Sequence, residues 1–388
     1  MARLQSGDVM PAVPLLFVDH ATALGGAENI LLLLLEHLDR DRFVPHLAAS
    51  PGLLAAAGRA RGVTVHEMPL GRLRGEATAA WRFARAVRRL VQVIRRERCA
   101  LICANSMRAS LYAAAAAKLT RRPLLWHVHE IFAPGPYVRL MSGLCAGAIA
   151  VSASAAKPLR CAAKVRVIHN GVRPDDFAGD HRERAARLRA ATLVGQVARL
   201  QPWKGQRDVI AAAEVVVSRR PNVYVAIIGG DIFGDAAAYE AELKRSVARC
   251  GLSDRIRLTG HQTDIRATLA ALDIFVNASV DEPFATVLLE ASAAALPIVA
   301  YASGGVPEAI VDGETGVLVP PGDHARLAAA LLELIADPCR ARALGEAARD
   351  NVHTRFDIRR MAGDVQEVLA ALVGDAAPAV TVASGARG

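Results

Sequence analysis

The chain is 388 residues long, 53% apolar and 4% aromatic, with a formal net charge of +9. That length exceeds one ordinary hydrophobic core and predicts two domains. The totals exclude a disordered chain, no apolar run approaches the ~20 residues of a membrane-spanning helix, and the scarcity of aromatics argues against a nucleic-acid binder.

An early acidic residue, Asp8, and a brief apolar run do not make a signal peptide. No export and a cytoplasmic location are therefore expected, with Met10 as an alternative start. LLFVD (15–19) reads as a strand leading into a helix over 27–38. ILLLLLEHL within that helix is short and carries Glu36 and His37, so it is not a membrane span. Asp39-Arg40-Asp41, which closes the helix, reads as a solvated helix end, and no metal site is expected. FVPHLAA, VTVHEM, ALICA, PLLWHVH, AIAVS and VRVIH follow as short apolar strands, with helices between them at 76–98 and 107–119 among others. Such alternation predicts a parallel sheet covered on both faces.

The polar segment 172–190 breaks this pattern, after which TLVGQVA, VYVAIIG, RIRLTG, DIFVNAS, PIVAYA and TGVLVP repeat it. The expected organisation is an N-terminal Rossmann-like domain over 1–172, a linker over 173–190 and a C-terminal Rossmann-like domain over 191–355. A helix over 356–372 is expected to lean back on the first domain, and 373–388 to be a disordered tail. Two doubly wound α/β domains facing each other leave a cleft between the C-terminal edges of their sheets, where open α/β sheets bind ligands. The six cysteines contain no C-x-x-C pair and are expected to be reduced and structural.

Charge divides unevenly. Residues 1–170 hold 23 Lys/Arg against 10 Asp/Glu, whereas the remainder holds 24 against 28. The basic first half is expected to meet something anionic. On a helical wheel of 76–98, Phe83, Val87, Leu90, Val91 and Ile94 gather on one arc. Arg82, Arg85, Arg88, Arg89, Arg95 and Arg96 gather on the other, with Trp81 among them. Two readings stand: an ordinary solvated face, or peripheral contact with an anionic membrane, where a tryptophan within a cationic face is common.

DEPFATVLLEA (281–291) places Glu282 and Glu290 at opposite ends of an otherwise apolar segment. Pro283 suits a helix start, so a helix over Phe284–Ala295 is predicted, with Glu282 just before it and Glu290 two turns inside. The two carboxylates cannot touch, but they can grip two ends of one elongated ligand. A capping glutamate and a solvated one are the alternative.

LGGAE (24–28), HVHE (127–130), HNGV (169–172), VGQVARLQPWKG (194–205), EPFATVLLE (282–290) and SGGVPEAIVDGETGVLVPPGD (303–323) occur in an order and spacing that resembles the retaining glycosyltransferases of family 4, with the two-Rossmann-domain fold called GT-B. The resemblance runs from about residue 14 to residue 372. It implies transfer of a sugar from a nucleotide sugar, UDP- or GDP-linked, to a glycan, lipid-linked or small-molecule acceptor, with retained anomeric configuration, no metal and no further cofactor. Negative charge that grows on the leaving diphosphate needs a positive partner. The resemblance gives that role to Arg199 and Lys204, for which plain surface charge is the alternative. By the same resemblance Glu290 receives the ribose hydroxyls and Glu282 contacts the transferred sugar. The first-turn N–H groups near Phe284, Ala285, Thr286 and Val287 face the diphosphate, and Gly25 and Gly26 let backbone approach it.

The resemblance also puts a histidine beside the sugar. His129 is preferred to His127, whose side chain is expected on the other side of the strand, and a structural histidine is the alternative. Ser303, Gly304, Gly305 and Glu308 are weaker candidates for shaping the sugar pocket, and no residue is assigned as a nucleophile. Ala285 and Ala295 stand where the family usually has glycine. If either position needs a positive φ, an alanine there is strained, and a non-catalytic GT-B subunit that only binds sugar nucleotides becomes the alternative. The lack of G-x-G-x-x-G after either domain's first strand speaks against a nicotinamide enzyme.

Overall fold

A computed structural model describes residues 11–72, 78–159, 164–177, 191–231, 234 and 236–374. Both alternative start residues, most of the expected linker and nearly all of the expected tail lie outside the described residues. The apolar runs build two sheets in which every pairing is parallel. The first contains β1 (Val13–Asp19), β2 (Phe43–Ala49), β3 (Thr64–Glu67), β4 (Leu101–Ala104), β5 (Leu124–Val128), β6 (Gly147–Ala150) and β7 (Val165–Val167), ordered β3-β2-β1-β4-β5-β6-β7. The second contains β8 (Thr192–Val197), β9 (Val223–Ile228), β10 (Ile256–Gly260), β11 (Ile274–Asn277), β12 (Ile298–Tyr301) and β13 (Val317–Val319), ordered β10-β9-β8-β11-β12-β13. Chain direction across the sheet reverses between β1 and β4 and again between β8 and β11. Loops part at such switch points and open a crevice above the strand ends.

Helices bury both faces of the first sheet. Val87, Leu90, Val91 and Ile94 of helix Ala79–Arg96 enter one core, which helix Met107–Thr120 shares. The other face receives helix Gly26–His37 together with Met361, Val365 and Leu369 of helix Ile358–Gly374. The last helix therefore does pack on the first sheet. The chain returns there through a bridge in which Val172 N–H donates to the Phe356 carbonyl at 2.9 Å.

The helix expected over Phe284–Ala295 is shorter, Thr286–Ala293, and Pro283 lies outside it. The reason is tertiary. The Glu282 carbonyl accepts from Gly305 N–H at 2.7 Å and the Phe284 carbonyl from Asn170 Nδ2 at 3.3 Å, which draws residues 282–285 out as an extended strap. Gly304 must stay glycine beneath that strap: its φ is +60°, and a Cβ there would lie 2.0 Å from the Glu282 carbonyl oxygen.

The two alanine departures separate. Ala285, the residue before the helix, has φ −72°, an ordinary value for any L residue. Ala295 has φ +48°. It ends the helix in a Schellman arrangement, with Leu296 N–H on the Ala291 carbonyl at 3.0 Å and Ala295 N–H on the Ser292 carbonyl at 2.8 Å, where glycine is favoured.

Candidate active site

The first sheet's switch point carries a polar chain that sequence reading missed. Asp19 ends β1 fully buried, and its Oδ1 accepts from Ala21 N–H at 2.9 Å. Its Oδ2 accepts from Asn105 Nδ2 at 2.8 Å, just beyond β4. With Nδ2 donating there, Asn105 Oδ1 is the acceptor for His129 Nε2 at 3.0 Å. The network thereby assigns the ring proton to Nε2 and leaves the Nδ1 lone pair available. Burial, then the neighbouring His127, holds His129 well below the usual imidazole pKa, so the ring is neutral at pH 7. His127 was expected on the opposite side of its strand. Its ring centroid instead lies 4.1 Å from that of His129, as the two-residue period of a strand requires. His127 is itself buried, with its pKa pushed down to about 4.

Gly25 precedes helix Gly26–His37 and donates its N–H to Glu28 Oε2 at 2.9 Å. Burial and the nearby Asp19 raise the Glu28 carboxyl to about 7. The signal for Asp19 and Asn105 was present in the sequence: each is a polar residue at the C-terminal end of an apolar strand.

Facing these is the loop after β8. Gln206 Nε2 donates to the Arg199 carbonyl at 3.0 Å and Gln196 Nε2 to the Lys204 carbonyl at 2.6 Å, so two side-chain amides hold the loop from inside. Gly205 closes it with φ +70°, where a Cβ would lie 2.0 Å from the Ala278 carbonyl oxygen. Lys204 Nζ sits 4.0 Å from the Trp203 ring centroid, and the Arg199 guanidinium carbon 6.0 Å from the same centroid. Lys204 also reaches Glu282 Oε2 at 2.6 Å. Burial lowers the pKa of Lys204, and the Glu282 charge acts in the opposite direction. Glu282 is thus a buried counter-ion that orients Lys204, a partnership not anticipated from the sequence.

Phe284 departs from its expected place. Its ring stacks on His169 at 4.9 Å and packs against Phe356 at 5.7 Å, so the side chain belongs to the crossing between domains. The weaker candidates gather there as well. Glu308 accepts from Ala153 N–H at 2.8 Å and pairs with His169 Nε2 at 2.9 Å, and Ser154 Oγ donates to the Gly304 carbonyl at 2.8 Å. Glu290, two turns along from the strap, is pushed up to about 7 by burial alone.

The two walls meet closely. A Cβ built on Gly26 would lie 3.7 Å from Thr286 Oγ1, so the N-termini of helices Gly26–His37 and Thr286–Ala293 approach each other across the cleft. First-turn N–H groups, including those of Thr286 and Val287, have no acceptor inside their own helix, and both macrodipoles are positive at this end. With Arg199 and Lys204 alongside, the gap suits a doubly charged anion. Among the described residues no metal-ligating cluster forms in this cleft; the one group of that kind lies elsewhere in the first domain.

Residues 24–176 match the family described as Glycosyltransferase Family 4, and residues 180–351 the family described as Glycosyl transferases group 1. The lipopolysaccharide core biosynthesis mannosyltransferase LpcC of Rhizobium leguminosarum bv. viciae is 34% identical over 183 residues, 47% of this chain and 52% of the relative. The GDP-mannose-dependent alpha-(1-6)-phosphatidylinositol monomannoside mannosyltransferase of Mycolicibacterium smegmatis is 35% identical over 194 residues, 46% of this chain and 49% of the relative. The chain spans about half the length of the curated relatives it matches. Among solved structures, Anabaena Alr3699/HepE in complex with UDP-glucose superposes with a TM-score of 0.80 at 26% identity, over 92% of this chain and 99% of that one.

Proposed function

The chain belongs to the family 4-like glycosyltransferases of the GT-B fold, and on that premise we propose that it moves a hexosyl group from a nucleoside-diphosphate sugar to an acceptor with retained anomeric configuration. The observation that carries this reading is the meeting of two helix N-termini beside Arg199 and Lys204. Charge that develops on the departing diphosphate falls into that gap, where N–H dipoles stand with the Arg199 guanidinium and the Lys204 ammonium close by. A divalent ion is not required for this.

In this reading Glu282 keeps Lys204 ionised and aimed, and Glu290 accepts the ribose hydroxyls. The His129 Nδ1 lone pair faces the sugar or the acceptor while the Asp19–Asn105 chain holds the ring. Thr286 and Val287 serve through their backbone N–H groups. Ala285 at φ −72° does the same without strain, which removes the ground at that position for a subunit that binds but does not turn over.

A UDP-glucose complex of one neighbour and a GDP-mannose-dependent relative leave UDP and GDP as the first bases to test. The relative's phosphatidylinositol-based acceptor, together with Trp81 62% exposed and the Arg85 guanidinium 5.3 Å from its ring, favours a lipid-linked acceptor reached from an anionic surface. No helix among the described residues is long and apolar enough to cross a membrane.

Thermal-shift titration with UDP, GDP, dTDP and ADP after chelator treatment tests the core reading. One nucleotide is expected to raise the melting temperature without added metal, because a ligand bound only by the native state stabilises it. Sugar transfer that stops with chelator and returns only with magnesium or manganese overturns it.

A further inference from the structure

On the face of the first sheet that carries helix Ala79–Arg96, three side chains far apart in sequence converge. His46 comes from β2, His66 from the edge strand β3, and Glu97 from the C-terminal end of the helix. Their ligand atoms all lie within 4.8 Å of one another. His46 Nδ1 and His66 Nε2 are 3.3 Å apart, with ring planes inclined by 21°. A zinc ion with ligand bonds of about 2.0–2.1 Å in tetrahedral geometry separates two ligand nitrogens by roughly 3.3 Å. The two nitrogens, at hydrogen-bonding distance in the ion-free chain, thus already have the spacing of a zinc tetrahedron edge.

Glu97 can supply a third ligand. Arg96 contacts it through Nε and Nη2, both on Oε1. His46 is only 6% exposed, whereas His66 and Glu97 are half-buried, so one side of the group opens to solvent and gives an ion a path in and a fourth position for water. Two imidazoles with one carboxylate suit borderline first-row divalent ions and disfavour magnesium and calcium, which select oxygen ligands.

The group stands apart from the cleft. His46 pairs in register with Leu16, and Leu16 with Ile102, whereas the cleft residues Asp19 and Asn105 lie three positions further along those strands. At strand rise this is about 10 Å. We propose that His46, His66 and Glu97 bind one zinc-class divalent ion that clips edge strand β3 and the end of helix Ala79–Arg96 to the sheet.

The full chain, stripped with chelator and dialysed, is titrated with Zn²⁺ by calorimetry and with Co²⁺ by visible absorption. One ion per chain is expected, with the intense d–d bands of tetrahedral cobalt and a melting temperature raised by Zn²⁺. His66→Ala, at a half-buried edge position that should fold normally, is expected to weaken binding by at least ~100-fold, and Glu97→Gln by about 10-fold. Arg96→Ala should tighten binding, because it removes a cation that competes for Glu97. The melting shift produced by the nucleotide should be the same in His66→Ala as in the unaltered chain, since the site is not the donor site. Absence of saturable binding, or equal affinity in the unaltered chain and His66→Ala, overturns the proposal.

Discussion

The first-domain wall of the cleft presents Asp19, Glu28 and a neutral His129, whereas the second-domain wall presents Arg199 and Lys204. Net charge runs the other way, since the basic residues dominate the first 170 positions and the acidic ones the remainder. The arginines of the first half concentrate on the outer face of helix Ala79–Arg96, where Arg85, Arg88, Arg89, Arg95 and Arg96 are exposed. Domain charge therefore reports an outer surface, and the chemistry of the cleft depends on a few residues at strand ends. In the proposed reaction one wall stabilises the leaving group, while the other holds the neutral His129 ring in a defined tautomer.

Removing the cations tests the division most severely. Replacing Arg199 and Lys204 together by alanine should lower kcat/KM by on the order of 10³ or more, with circular dichroism unchanged. Near-normal turnover would mean that the second wall does not carry the leaving group. On the first wall, Asn105→Ala should cost about 10- to 100-fold in kcat with little change in nucleotide affinity, because it frees the His129 ring to change tautomer and orientation. A fall in nucleotide affinity instead would move that chain of residues to the donor side.

The buried acids separate the walls by pH. Glu28 and Glu290 have carboxyl pKa values near 7 in the folded chain against an ordinary 4.5. Between those values the folded state holds protons that the unfolded state has lost, so stability falls as pH rises from about 4.5 through 7. Glu290→Gln should remove its share, stabilising the ligand-free chain at pH 8 by roughly 1–2 kcal/mol while weakening nucleotide binding about 10-fold. Denaturant titrations at pH 5 and pH 8 check both signs. An unaltered pH slope in Glu290→Gln would show the carboxylate to be solvated.

The smallest effect concerns the two alanines. Ala295→Gly should be neutral or stabilising by up to ~1 kcal/mol, because it relieves a left-handed residue, whereas Ala285→Gly should destabilise by a few tenths through added freedom in the unfolded chain. Equal loss at both would refute the assignment of strain to Ala295 alone.

Much of this was legible in one dimension. Apolar strands alternating with amphipathic helices predict the two parallel sheets, because strand burial on both faces writes itself as continuous apolar runs. The returning last helix follows from periodicity, whereas Arg199 and Lys204 are singled out only by the resemblance to family 4. Other features were out of reach. Pro283 advertises a helix start, but hydrogen bonds from Gly305 and Asn170, neither adjacent in sequence, draw that segment straight. Phe284 resembles a site residue until His169 and Phe356 close on it.

By itself the sequence determined the fold class and a cleft at the strand ends, since those depend on local periodicity and on where strands stop. Only the tertiary structure decided that Glu282 serves Lys204, that Asp19 and Asn105 hold His129, and that His46, His66 and Glu97 meet. Pairings of this kind depend on sheet order and domain approach, which bring residues tens of positions apart within hydrogen-bond distance and leave no periodic trace along the chain.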